Sequence, residues 1–150
     1  MSYMALEVAP FCTRVLAPFY LRVSIALIDA VDSDRVGVQL DLGNSMEVFE
    51  HPRDTIEMLA PYTVALHVKD IDIGHRNGVD FCHLPVPLGE GIIDFDHAMQ
   101  QIMAHCPDAR FVIEGVFPPL PDLEQSRKGE EEMLEQSVIF AQGLLEQYGA

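Results

Sequence analysis

Residues 37–44 read GVQLDLGN, a short apolar run that closes on an aspartate and a glycine turn. In an extended chain Val38 and Leu40 fall on one face, while Gln39 and Asp41 fall on the other. A carboxylate ending a strand that is buried on both faces is costly unless it is paired or bound to a metal, so Asp41 marks that strand end as a site. The same pattern recurs along the chain. Glu7 falls in MALEV, His67 in VALHVKD, and Glu114 in FVIEG, where Val112 and Glu114 share a face opposite Phe111 and Ile113. Three carboxylates and one imidazole converging at one end of a sheet make a divalent-metal site. Oxygen-rich ligation with a single nitrogen suits Mn²⁺, Mg²⁺ or Co²⁺ better than a thiolate-selected structural Zn²⁺, and Zn²⁺ stays as an alternative.

Working outward, apolar spacing and capping residues give an alternating order of strands and helices. Strands are expected at Met4 to Val8, Val36 to Leu42, Thr63 to Val68 and Arg110 to Val116. Helices are expected from about Pro18 to Val31, from Pro52 to Leu59, from an Asp94 cap to His105, and from Glu130 to Tyr148. Lys69 to Gly91 holds four glycines and two prolines with little periodicity, so it is expected to be a long functional loop without strands of its own. No strand is joined to the next by a hairpin in this assignment. Four βα units with helical crossovers imply an α/β fold with a parallel sheet. If that sheet curves into a barrel, the acid-bearing face is its interior, and the strand ends line the mouth where barrel enzymes place their chemistry.

Composition narrows the functional classes. With 150 residues of which 49% are hydrophobic, the chain can bury one sizeable core, and residues 1–150 are expected to form a single soluble domain. A formal net charge of −15, from 24 acidic against 9 basic residues, repels polyanions and argues against a nucleic-acid partner. No apolar run reaches the ~18 residues of a membrane span, and the start carries no secretory pattern, which points to the cytoplasm. Cys12, Cys82 and Cys106 lack CxxC spacing and fit reduced structural thiols.

GVQLDLGN, ALHVKD, VPLGEGIIDF and FVIEG, in that order, resemble the second half of the xylose isomerase-like (sugar phosphate isomerase/epimerase) barrel superfamily. The resemblance implies a parallel (βα)4 half-barrel corresponding to strands five to eight of a TIM (βα)8 barrel. It implies that Glu7, Asp41, His67 and Glu114 close those four strands and bind the metal, and that Glu7 and Glu114 act as acid and base on opposite sides of an enediolate. Moving a proton beside a carbonyl needs a Lewis acid for the developing enediolate and a tuned carboxylate for the proton, and this set contains both. Lys69, His75 and Arg76 are candidates for substrate contact, or for balancing the charge of an acidic mouth. Asn44 stands where several ketose 3-epimerases carry a substrate-binding histidine, which weakens the strict 3-epimerase assignment. The endonuclease IV branch uses further histidines, and His51, His75, His83, His97 and His105 do not fall at comparable strand ends; most are expected at the surface or in loops. Asp70 is expected to be a partner behind the site or a cap for the loop, and Pro87 to Gly91 a turn shaping the mouth.

A complete barrel of this type needs about 250 residues, so this chain is expected to supply half of one and to close against a homodimer copy or a complementary half-barrel chain. The expected activity is a metal-dependent isomerase or epimerase of carbohydrate metabolism, acting on a small sugar or hydroxy-carbonyl compound by proton transfer through a metal-stabilised enediolate, with manganese the first choice of ion. The alternatives are a catalytically silent metal-binding half-barrel that serves assembly, and an inosose-type dehydratase using the same metal and bases.

Overall fold

The structure is a computed structural model that describes residues 4–6, 20–76, 80–115, 117 and 120–149. In chain order the elements are β1 (Met4–Leu6), α1 (Tyr20–Val31), β2 (Val36–Asp41), α2 (Pro52–Leu59), β3 (Thr63–Val68), β4 (Asp70–Arg76), β5 (Asp80–Val86), α3 (Phe95–His105), β6 (Arg110–Ile113) and α4 (Leu123–Tyr148). Two compact units share them. One comprises Met1–His67 with Asp94–Val112, the other Val68–Ile93 with Ile113–Ala150.

The first unit is built on a sheet of order β1-β2-β3-β6, in which β1 pairs with β2 and β2 with β3 in parallel. The expected parity holds in β2. Val38, Leu40 and Leu66 are at most 3% exposed, and the register sets Leu40 beside Leu66 and Asp41 beside His67. Helices α2 and α3 pack together and contribute Ile56, Leu59, Ala98, Met99 and Ile102 to the core. Each large apolar side chain buried there contributes roughly 1.5–3 kcal/mol. The exposed pair Arg53 to Asp94, 3.1 Å apart, contributes about 1 kcal/mol or less, so packing and not charge holds these helices together.

Helix starts follow the sequence signals. Asp94 accepts the His97 backbone N–H at 3.0 Å, as a cap at that position should. At α2 the His51 ring accepts the Arg53 N–H at 3.2 Å, and Pro52 occupies the first turn. His51, His75 and His105 are exposed as expected, and His97 is the exception. It is 6% exposed on α3, and its Nε2 lies 3.3 Å from Glu57 Oε1 on α2.

Helix α1 has no acid in its own first turn, and the Glu50 carboxylate supplies one from a loop by accepting the Leu21 N–H at 3.3 Å. Burial pushes the Glu50 carboxyl above its ordinary value, and the Leu21 hydrogen bond partly offsets this. A carboxyl raised in the folded state favours folding when protonated. Its contribution is therefore complete below the unfolded glutamate range and is lost as pH rises through the folded value. Glu50→Gln keeps an acceptor for Leu21 without the charge, so it is expected to melt at or above the unchanged chain at pH 8, with the difference closing as pH falls below the ordinary carboxylate range. Thermal midpoints across pH check this, and a variant that melts lower at pH 8 would contradict it.

In the second unit the structure corrects the long-loop assignment. Asp70–Arg76 and Asp80–Val86 form an antiparallel pair, with Asp70 opposite Val86 and Arg76 opposite Asp80. The glycines and prolines that look like breakers are accommodated by pairing. A side chain on Gly74 would run into Leu84, so the missing Cβ makes room across the strand. Pro85, which lacks an N–H, is tolerated because a two-stranded sheet consists only of edge strands. The last helix starts at Leu123 rather than Glu130, capped by Asp122, which accepts the Gln125 N–H at 2.8 Å. Gly129 therefore lies inside the helix, where the Phe117 ring occupies the space a side chain would fill.

Candidate metal centre

Asp41 is the last residue of β2, and His67 lies beside it on β3. Asp41 is 7% exposed, and its Oδ1 accepts the backbone N–H groups of Gly43 and Asn44, each at 3.0 Å. Those two donors explain why the strand closes on Gly43 and Asn44. The turn folds back onto the carboxylate that ends the strand, and a 3₁₀ turn, Asn44–Val48, follows. Oδ2 of Asp41 lies 3.7 Å from Nδ1 of His67.

The Gln39 amide lies against the same ring, its Nε2 2.7 Å from His67 Nε2 and 3.4 Å from Nδ1. Gln39 had not been singled out as a site residue. Its signal was the strand parity that put it on the Asp41 face, and only the register of β2 on β3 converts that shared face into a contact with His67. A carboxylate oxygen and an imidazole nitrogen side by side at the ends of neighbouring strands are donor types that divalent ions take.

In the second unit the Glu114 backbone N–H donates to the Val68 carbonyl at 3.0 Å, and Glu114 Oε2 pairs with Lys69 Nζ at 3.0 Å. The two side chains are 36% and 16% exposed, so the pair is partly shielded from solvent screening. Lys69 thus stands against an acid, the charge-balancing alternative of the sequence analysis. Arg76 ends β4, and its backbone stands about 20 Å along the strand from Asp70 at the usual rise per residue. Glu7 lies outside the described residues, as does Cys12. Burial pushes the half-buried Cys106 thiol up to about 11, which favours its protonated form at neutral pH.

A parallel β/α sheet with a carboxylate and an imidazole side by side where β2 and β3 end defines an α/β protein of the barrel type, with its polar site at the C-terminal strand ends. The chain belongs to the xylose isomerase-like TIM barrel family, whose model matches residues 11–135. It is 30% identical over 117 residues to a 3-oxo-isoapionate decarboxylase of Pectobacterium atrosepticum, a match covering 77% of this chain and 42% of that enzyme. Among solved structures, a xylose isomerase domain protein from Planctomyces limnophilus superposes with a TM-score of 0.68 at 13% identity, covering 98% of this chain and 47% of the other. The IOLI protein solved with a zinc atom gives 0.58 at 18% identity, covering 82% and 42%. A xylose isomerase-like TIM barrel protein from Mycobacterium smegmatis in complex with magnesium gives 0.56 at 21% identity, covering 78% and 39%. The chain therefore spans less than half the length of each of these proteins. None of the helices among the described residues is long and apolar enough to cross a membrane.

Proposed function

We propose that Asp41, His67 and Glu114, together with Glu7, hold one divalent ion, and that the chain is an isomerase or epimerase acting on a small sugar or hydroxy-carbonyl compound. The observation that carries this is the pairing of Asp41 with His67: one carboxylate oxygen is committed to two backbone N–H groups, and the other is turned to an imidazole that Gln39 orients. The donor set fits a hard or borderline ion, with Mn²⁺ the first choice and Mg²⁺, Co²⁺ and Zn²⁺ as alternatives. Structures of the same fold solved with magnesium and with zinc support an ion of this class.

When bound, the ion supplies a Lewis acid for the substrate oxygens. Everything else is the work of side chains. Glu114 takes the proton from the carbon beside the carbonyl, so that the C–H electron pair moves toward the carbonyl oxygen and an enediolate forms. Glu7, expected on the opposite side, returns a proton to the neighbouring carbon or to the other face. Lys69 holds Glu114 in place through Oε2. Asn44, whose backbone is pinned to Asp41, presents its amide to the substrate hydroxyls.

A second reaction is favoured by the decarboxylase relative. Loss of carbon dioxide from a 3-oxo acid leaves its electron pair on the same kind of enolate, so the residues that serve proton transfer serve this step too. Incubation with Mn²⁺ in deuterium oxide separates the two. Exchange of the hydrogen beside the carbonyl in a panel of ketoses and hydroxy-aldehydes is expected for the isomerase. Carbon dioxide release from 3-oxo acids without such exchange would assign the decarboxylase, and neither signal in a metal-loaded protein would reduce the chain to a binding module. Closure of the site by a second copy or a complementary half-barrel chain belongs to the same proposal, and the apolar Val112, 46% exposed on the Glu114 side of β6, supports it. Sedimentation is expected to show a dimer at micromolar concentration; a stable folded monomer would count against it.

A further inference from the structure

Asp70 is 2% exposed, and its carboxylate accepts four backbone N–H groups. Oδ2 accepts from Gly89 and Gly91, both at 2.9 Å, while Oδ1 accepts from Ile71 at 2.9 Å and Ile93 at 3.2 Å. Three of these donors alternate along residues 89, 91 and 93, so the stretch lays successive N–H groups on one side, as backbone nests do around external anions. Here the anion comes from the chain itself. Gly91 is the residue that allows the approach, since a Cβ there would collide with Asp70 Oδ1 and with the Ile71 carbonyl oxygen. That carbonyl in turn accepts the Ile92 N–H at 2.9 Å, and the Leu88 N–H donates to Ser137 Oγ at 3.2 Å, so the loop is clamped from three directions.

We infer that Asp70 is a positioning residue. Its carboxylate is the built-in occupant of an anion nest formed by residues 89–93, and by anchoring the backbone at residues 69–71 it holds Lys69 against Glu114. The importance of that second step rests on the proposed role of Glu114, but its geometry does not. Lys69 precedes Asp70 directly, and its ammonium lies 3.0 Å from Glu114 Oε2. A long, flexible side chain keeps one partner more readily when its root is fixed. Filling the nest from within also withholds these N–H groups from a substrate phosphate.

Asp70→Asn and Asp70→Ala test this by nuclear magnetic resonance. The asparagine is isosteric, but it offers one acceptor oxygen where the nest needs two, and its NH₂ meets N–H donors head-on. Amide exchange at Gly89, Gly91 and Ile93 is expected to speed up by about tenfold or more in Asp70→Asn, with the Ile73 to His83 pairing of the hairpin unchanged. The slowly exchanging ammonium signal of Lys69 is expected to disappear with it. In Asp70→Ala, formate should occupy the emptied nest and restore both the loop protection and the Lys69 signal, whereas chloride at equal ionic strength should restore neither. Unchanged exchange in Asp70→Asn, or rescue by chloride equal to that by formate, would overturn the nest. Restored loop protection without the Lys69 signal would overturn the positioning role. If Asp70→Ala does not fold, the isosteric Asp70→Asn decides both points. A wild-type chain with no Mn²⁺ affinity would remove the metal proposal while leaving every one of these readouts in place.

Discussion

Glu114→Gln is expected to lower turnover by about 10²–10⁴-fold, the usual contribution of a positioned general base. Glutamine keeps the length and one oxygen of the side chain, so it can still face Lys69 and offer a donor to the ion, but it cannot take a proton at neutral pH. A fall in kcat that far exceeds the fall in metal occupancy therefore separates proton transfer from ligation. The measurement is deuterium exchange or product formation at verified equal Mn²⁺ loading, with Glu7→Gln run in parallel. Activity surviving both substitutions would take these glutamates out of the chemistry.

The double variant Asp41→Asn, His67→Ala is expected to weaken Mn²⁺ binding by at least about 100-fold, because loss of groups behind the ligands alone typically lowers affinity by about 10–100-fold and these are the proposed ligands themselves. Asparagine at 41 can still accept from Gly43 and Asn44, so the turn after β2 is expected to persist and the loss to lie in metal affinity rather than in folding. The same experiment has a stability readout. An ion that binds only the folded chain adds about 2.7 kcal/mol at a free concentration one hundred times Kd, so the wild-type melting midpoint should rise with Mn²⁺ and that of the double variant should not. Equal calorimetric affinity in the two proteins would show the site to be wrongly assigned.

Much of the fold follows from local patterns that tertiary contacts did not override. Thr63–Val68 and Pro52–Leu59 occur at their expected boundaries, and Asp94 caps the helix that ends at His105. Parity along β2 was enough to set Leu40 on one face and Asp41 on the other, and Leu40 lies in the core. These features depend on period, capping and turn chemistry, which lie within a few residues of one another. The missed features depend on partners far away in sequence. The β4–β5 pair exists because each strand pairs with the other, although Gly74, Pro85 and the acids weaken the strands taken singly. Helix α4 starts at Leu123, where Asp122 caps it, and Gly129 inside it leaves room for the Phe117 ring.

The same division runs through the candidate site. The sequence by itself determined the α/β class, the order of strands and the polar residues at their ends, because alternating burial imposes a period that can be read residue by residue. Tertiary structure alone decided which of those residues are neighbours and in what state. The register of β2 on β3 brings Gln39 and Asp41 to the His67 ring, and the packing of the second unit sets Lys69 on Glu114 and buries Asp70 among four backbone donors. Hydrogen bonds and ion pairs act over about 3–4 Å, and that separation is fixed by strand register and loop closure between residues twenty to fifty positions apart, which no local pattern records.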